Sequence, residues 1–190
     1  DIHLDSPLRG LARHEDAPAE TIRGATRQAF ENLVNLAIEE DVSFVLLAGD
    51  LYDGSWQDFS TGIFLAKKLG ELDRAGIPVL AVVGNHDAQS KITKALEAPH
   101  NLTFFPHKKP ETVILEDLAV ALHGQSFGKK HIDENLAIGF PAAVEGMFNI
   151  GLLHTSLDGR PGHASYAPCK LDELKSKAYD YWALGHVHQT

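Results

Sequence analysis

Ile77-Pro78-Val79-Leu80-Ala81-Val82-Val83 runs directly into Gly84-Asn85-His86-Asp87. The first part is an apolar run of strand length, rich in β-branched residues, so the polar tetrapeptide reads as the loop at that strand's carboxyl end. Loops in that position carry the chemistry of α/β proteins. Three polar side chains in a row after a buried strand are costly to hold unless something charged receives them, and a metal ion is the obvious candidate. Gly84 lets the backbone turn tightly, Asn85 offers a neutral oxygen and His86 a titratable nitrogen.

Working outward, Ser43 to Ala48 is a second continuous apolar run, ending in Gly49-Asp50-Leu51-Tyr52-Asp53-Gly54. Between the two runs a helix is expected from about Phe59 to Ala75, stopped by Gly76. Strand, helix and strand in so short a span form a βαβ unit with parallel strands, which brings Asp50 and Asn85 to one edge of one sheet. Upstream, Ile22, Ala25, Ala29, Phe30, Leu33, Leu36 and Ala37 recur at helical spacing and predict an amphipathic, core-packing helix from Glu20 to about Glu40. Pro7, Gly10 and Pro18 make the stretch before it irregular.

Downstream of a short helix expected near Lys91 to Ala98, the texture changes. Leu102 to Phe105, Thr112 to Leu115 and Leu118 to Leu122 read as short strands suited to antiparallel pairing in a second sheet. Phe148 to Leu153 is a buried strand ending at His154, Leu171 to Lys177 a short helix, and Tyr179 to Leu184 a last strand ending in Gly185-His186. The order predicts a mixed α/β and α+β fold: two packed sheets with helices outside.

Composition narrows the partners. The 190 residues suffice for one well-buried domain over 1–190, and the abrupt ends at Asp1 and Thr190 suggest a domain cut at both termini. Apolar residues at 44% and charged residues at 23% fit an ordinary globular protein. The net charge of −9 argues against broad adhesion to nucleic acid or anionic membrane, though divalent ions or another subunit can supply local positive charge. The single Cys169 excludes an intrachain disulfide and suits a reducing cytoplasm, and no run reaches the length of a membrane span. Eleven histidines demand an explanation.

Five places answer that demand: Asp1-x-His3, Gly49-Asp50 with Asp53, Asn85-His86, His154, and His186-x-His188. Residues two apart project to one side of an extended backbone, so both can reach one ion. Carboxylate, amide and imidazole without thiolate suit manganese or iron, with zinc an alternative. With one carboxylate bridging, the set suffices for two ions about 3.5 to 4 Å apart, the spacing that serves phosphoryl transfer.

Asp1-Ile2-His3, Gly49-Asp50-Leu51-Tyr52-Asp53-Gly54, Gly84-Asn85-His86-Asp87, His154 and Gly185-His186-Val187-His188 resemble, in order, the five motifs of the calcineurin-like metallophosphoesterases. Within that superfamily, His3-Leu4-Asp5-Ser6-Pro7-Leu8, the long helix after it and His123-Gly124-Gln125-Ser126-Phe127 resemble the SbcD-type DNA repair exonucleases, whose partner is an SMC-like ATPase. The resemblance implies a four-layer fold, a two-sheet sandwich flanked by helices. It implies that Asp1, His3, Asp50 and His188 hold one ion and Asp50, Asn85, His154 and His186 the other, with Asp50 bridging. A water activated by both ions would attack phosphorus, His86 would protonate the leaving oxygen or stabilise charge developing on it, and Asp53 would orient His86. It further implies a DNA substrate and, as nuclease relatives often dimerise, a second copy as a partner.

The remaining candidates have plainer readings. Asp5 is expected to cap nearby backbone amides, and His123 to be a hydrogen-bonded core or rim histidine. His14, His100, His107 and His131 lie in polar contexts and are read as solvated, His163 as a surface-loop residue by default with a place bordering the substrate as the alternative, and Cys169 as a small buried hydrophobe. Arg9 could reach a phosphate or be an ordinary surface arginine. Two rivals stay open: a phosphatase or phosphodiesterase for nucleotides, small esters or phosphoproteins, and a non-catalytic scaffold of the same fold.

Overall fold

A computed structural model describes residues 1–6, 19–52, 59–89, 99–158 and 165–188. Helix α1 (Ala19–Glu39), strand β1 (Val45–Leu47), helix α2 (Phe59–Arg74) and strand β2 (Val79–Ala81) follow in the expected order. Strands β1 and β2 are parallel, with Val45 opposite Val79 and Leu47 opposite Ala81. The apolar run around β2 is continuous because both of its faces are covered. Val79 and Ala81 point into a core shared with Phe30, Val34, Leu65 and Leu69 of the two helices. Leu80 and Val82 point the other way, into a core built with Val120, Leu122, Ile150 and Leu152.

Those partners belong to a second sheet of β4 (Glu111–Leu115), β5 (Val120–Gln125), β6 (Phe148–His154) and β7 (Tyr181–Gly185), in that order. Its outer face carries Leu153, packed with Ala137, Phe140 and Leu174 from the 3₁₀ turn Leu136–Gly139 and helix α3 (Leu171–Lys175). Leu152 and Leu153 thus enter different cores, as alternation along a strand requires. Helices, sheet, sheet and short helices make four layers, the two-sheet arrangement flanked by helices that was expected.

Four details differ from expectation. Strand β3 (Leu102–Phe104) joins the first sheet, parallel to β2, instead of the second. The open edge of β2 takes it: the Phe105 N–H donates to Ala81 O at 2.9 Å, and the Asn101 amide, donating to Ile77 O at 2.9 Å, pins the strand's start. Antiparallel pairing in the second sheet is confined to β4 with β5, while β5–β6 and β6–β7 are parallel. Leu118 ends a 3₁₀ turn before β5 instead of starting the strand, and Ala119 takes a left-handed φ of 51° there. On α1 the buried stripe is Phe30, Val34 and Ala37, while Leu33 and Leu36 are exposed. The helix expected near Lys91 lies outside the described residues. Among the described residues, no helix is long and apolar enough to cross a membrane.

Candidate metal centre

Candidate ligands follow the carboxyl ends of strands from both sheets, β1 and β2 in the first and β6 and β7 in the second. Past β1 the chain turns through Gly49 into Asp50, past β2 through Gly84 into Asn85, while β6 ends at His154 and β7 at Gly185. Residues 1–4 lie along the first of these turns. The N–H groups of Ile2 and His3 both donate to Asp50 O at 2.9 Å, and Leu4 N–H donates to Leu51 O at 3.0 Å. Asp1-x-His3 is therefore fastened by an isolated bridge, Leu4 to Tyr52, and not by a regular strand.

Asp50 is the hub. Its carboxylate is buried, accepts the backbone N–H of His86 at 2.9 Å, and lies 3.3 Å from His154 Nε2 and 3.8 Å from His3 Nε2. Burial opposes its charge, but the hydrogen bond and charge of His154, helped by His86, outweigh that, and the carboxyl is held below its ordinary value. Asp1 is the second anchor. Its Oδ2 accepts the His186 N–H at 2.8 Å and lies 2.7 Å from His188 Nε2, while Oδ1 lies 3.5 Å from His154 Nδ1. The side chain of Asp1 is only 4% exposed. The rings of His3 and His86 are 5.0 Å apart, those of His3 and His188 5.4 Å, and those of His154 and His186 5.4 Å.

Backbone strain gathers here. His3, Asp50 and His186 take positive φ of 48°, 47° and 95°. Such conformations persist only where the surroundings over-determine them, and they cluster at functional sites. Close approach explains two glycines as well. A Cβ on Gly84 would lie 2.3 Å from Asp50 Oδ1, and one on Gly185 2.0 Å from Ala48 O and 2.7 Å from Asp1 Oδ1.

His154 tests whether these residues suit a metal. Its Nδ1 lies 2.9 Å from Ala48 O, a pure acceptor, so that nitrogen carries the proton. In the neutral ring Nε2 then presents a lone pair, yet it faces Asn85 Oδ1 at 2.9 Å and Asp50 Oδ2 at 3.3 Å, both acceptors as placed. Either a proton or a cation must lie between them. A ring whose far N–H is spent on a backbone carbonyl is the usual preparation of a metal ligand. The donor set agrees. Among the described residues, ligand atoms within 4.8 Å of one another come from Asp1, His3 and His188, from His3, Asp50 and His86, and from Asp1, Asp50 and His154. Asn85 and His186 join the same cluster through His154. Asp53, Arg9, His14 and His163 lie outside the described residues.

One participant was not singled out from the sequence. Asp87, 3% exposed, accepts the N–H of Tyr52 at 2.9 Å and of Gly84 at 3.1 Å, so its carboxylate ties the two ligand-bearing loops together. Burial, the largest influence, pushes its carboxyl up against those bonds. The other readings are resolved simply. Asp5 does not cap amides: it is paired with Arg27 and accepts the Thr61 hydroxyl at 2.6 Å. His123 is fully buried within β5, between Thr112 Oγ1 at 2.8 Å and Asn149 Oδ1 at 3.0 Å. Cys169 is a buried hydrophobe that accepts from Thr155 Oγ1. His100, His107 and His131 are exposed.

The sequence model of the calcineurin-like phosphoesterases matches residues 1–190. The chain is 34% identical over 192 residues to an uncharacterized metallophosphoesterase, YhaO, of Bacillus subtilis strain 168, covering 100% of this chain and 47% of that protein. It is 30% identical over 167 residues to the DNA double-strand break repair protein Mre11 of Sulfurisphaera tokodaii, covering 84% of this chain and 42% of the relative. Against the Mre11 of Methanopyrus kandleri the figures are 26% over 210 residues, 99% of this chain and 43% of the relative. The chain thus spans somewhat under half the length of the curated relatives it matches. Members of the family generally bind two divalent metals, and a match running through every residue makes this chain one of the calcineurin-like phosphoesterases.

Proposed function

We propose that this chain is the catalytic part of a two-metal phosphodiester hydrolase that acts on DNA in repair, of the SbcD type, with manganese as the expected ion and iron or zinc as alternatives. The observation that carries the reading is the convergence on Asp50 of His3, His86 and His154, which arrive from three separate parts of the chain. The repair-protein names of the two archaeal relatives support DNA as the substrate. Asp1, His3, Asp50 and His188 would hold one ion, and Asp50, Asn85, His154 and His186 the other. When bound, such a pair supplies a nucleophilic water at neutral pH and neutralises charge on the phosphoryl oxygens.

The chain's own residues do the rest. Asp50, ionised by its depressed pKa, offers one carboxylate to both positions. The Ala48 carbonyl fixes the ring of His154, and Asp1 orients His188. His86, half-buried, would carry the proton for the leaving oxygen, and Asp53 would orient it. An SMC-like ATPase, a second copy of the chain and a cytoplasmic setting belong to the same reading.

The test is metal analysis of the full-length protein with manganese-dependent assays on single- and double-stranded DNA and on a chromogenic aryl phosphodiester. Cleavage of DNA is expected. The net charge of −9 favours one rival, a phosphoesterase for nucleotides, small esters or phosphoproteins; hydrolysis of the aryl diester with intact DNA would move the assignment there.

A further inference from the structure

The loop after β5 leaves the metal centre and returns to it. Phe127, 2% exposed, sets its ring edge-on to His154 with centroids 5.4 Å apart. Four residues on, the ring of His131 meets Tyr166 at 5.2 Å, and Tyr166 meets His186 at 5.2 Å. Between these contacts Gly128, Lys129 and Lys130 are exposed, while Ile132 is buried against Phe127 and Ala167 and closes the loop. A second loop is packed against the first. The His107 ring lies where a Cβ on Gly128 would meet it at 2.7 Å, and the Gln125 amide donates to His107 O at 3.2 Å. Lys108 and Lys109, both exposed, follow directly.

We propose that Lys108, Lys109, Lys129 and Lys130 form a basic rim beside the metal centre that receives the phosphodiester backbone of a DNA strand. The inference rests on the DNA reading above and adds to it where the strand runs. In a chain of net charge −9, four of the seventeen basic residues stand together on two adjoining loops. Among the described residues, carboxylates answer them only weakly. Glu134 lies 3.8 Å from Lys129 and Asp133 2.8 Å from His131, all four side chains more than half exposed. Exposed pairs of this kind contribute little and exchange readily for a phosphate. The anchoring matters as much as the charge. Because Phe127 and Ile132 hold both ends of the loop, the lysines keep a fixed place relative to His154 and His186, so a strand lying on them presents its phosphates to the centre. An acidic protein thereby gains local attraction for a polyanion at the one place where it is useful.

The test replaces the rim in the full-length protein with Lys108→Ser, Lys109→Ser, Lys129→Ser and Lys130→Ser together; a Lys170→Ser, Lys175→Ser variant, at the residue before α3 and at its last residue, serves as control. Affinity for a fluorescent single-stranded oligodeoxynucleotide is read in metal-free buffer across a salt series, and kcat/KM for the aryl diester with manganese. The rim variant should lose about tenfold or more in DNA affinity, and its log affinity–log salt slope should flatten by about 0.7 for each phosphate contact removed. Its aryl diester kcat/KM and melting temperature should match the control. If the quadruple variant misfolds, the Lys129→Gln, Lys130→Gln pair should give about half the change in slope. Unchanged affinity and slope in a rim variant that still cleaves DNA would overturn the rim and leave the DNA reading standing. A parent protein that hydrolyses the aryl diester but neither binds nor cuts DNA would overturn both.

Discussion

The Asp87 carboxylate accepts the backbone N–H of Tyr52 at 2.9 Å, so the loop after β2 physically holds the loop after β1. With Gly84 N–H as its second donor, Asp87 leaves two buried amides unsatisfied when it is removed. Each such orphan costs about 1 to 3 kcal/mol. Asp87→Ala should therefore lower unfolding free energy by about 2 to 6 kcal/mol in urea titrations and weaken manganese uptake. Asp87→Asn, which keeps one acceptor but sets an NH₂ against the other amide, should fall between.

His86 and Asp50 are joined by one hydrogen bond but should fail differently. His86 meets Asp50 through its backbone N–H, at 2.9 Å. His86→Ala should keep its metal content by elemental analysis while turnover falls by about 10²- to 10⁴-fold, the range for loss of a general acid. Asp50→Ala, which deletes the hub, should lose both ions. Loss of metal from His86→Ala would show that its ring is a ligand.

Steric closeness gives a third outcome. At Gly84 an added methyl would meet Asp50 Oδ1 at 2.3 Å, and at Gly185 it would meet the backbone oxygen of Ala48 at 2.0 Å. The Gly84 methyl would also meet the Asp50 backbone nitrogen at 2.6 Å, so Gly84→Ala should lose stability as well as metal affinity, the latter measured by calorimetry. Gly185→Ala should be the more destabilised of the two, losing about 3 kcal/mol, because its 2.0 Å approach to backbone is the closer and such overpacking cannot relax locally.

Asp5 and Arg27 fasten the first motif to the helical layer. Arg27 Nε donates to both carboxylate oxygens, at 2.8 and 2.9 Å, and Thr61, fully buried, adds its hydroxyl. Asp5 itself sits at a φ of 54°, two residues after His3. A double-mutant cycle with Asp5→Ala and Arg27→Ala should return a coupling of about 1 to 2 kcal/mol, above an exposed pair because Asp5 is mostly buried. Additive losses would reduce the pair to a surface contact.

What could be read in advance follows a physical division. The polar strand ends at Asp50, Asn85, His154 and His186 were legible because each interrupts an apolar run within a few residues, and the fold brings the four together. Strand β3 was misassigned because Leu102–Phe104, half-buried and exposed by turns, alternates like an antiparallel strand, while its pairing is set by the free edge of β2. Asp5 was misread because its partner Arg27 lies a helix away, beyond the reach of local capping rules. Asp87 was overlooked for a related reason: its partners are backbone N–H groups of Tyr52 and Gly84, and no side-chain pattern announces them.

His123 supplies a pH dependence away from the metal centre. Asn149 Nδ2 donates to Val144 O at 3.0 Å and Met147 O at 2.8 Å, so its Oδ1 faces His123 as an acceptor. His123 Nε2 must then carry the proton, and Nδ1 accepts from the Thr112 hydroxyl. A second proton on Nδ1 would require that hydroxyl to turn. Burial lowers the pKa of this ring from 6.5, against the pull of Asn149. The unfolded chain therefore binds a proton that the folded chain refuses. The stabilisation is complete above the unfolded value of 6.5 and is lost as pH falls below it toward the lower folded value. Unfolding free energy measured in urea should drop between pH 7.5 and 5, and His123→Gln, though less stable throughout, should show a shallower drop. An equal slope in the variant would assign the acid sensitivity to other groups.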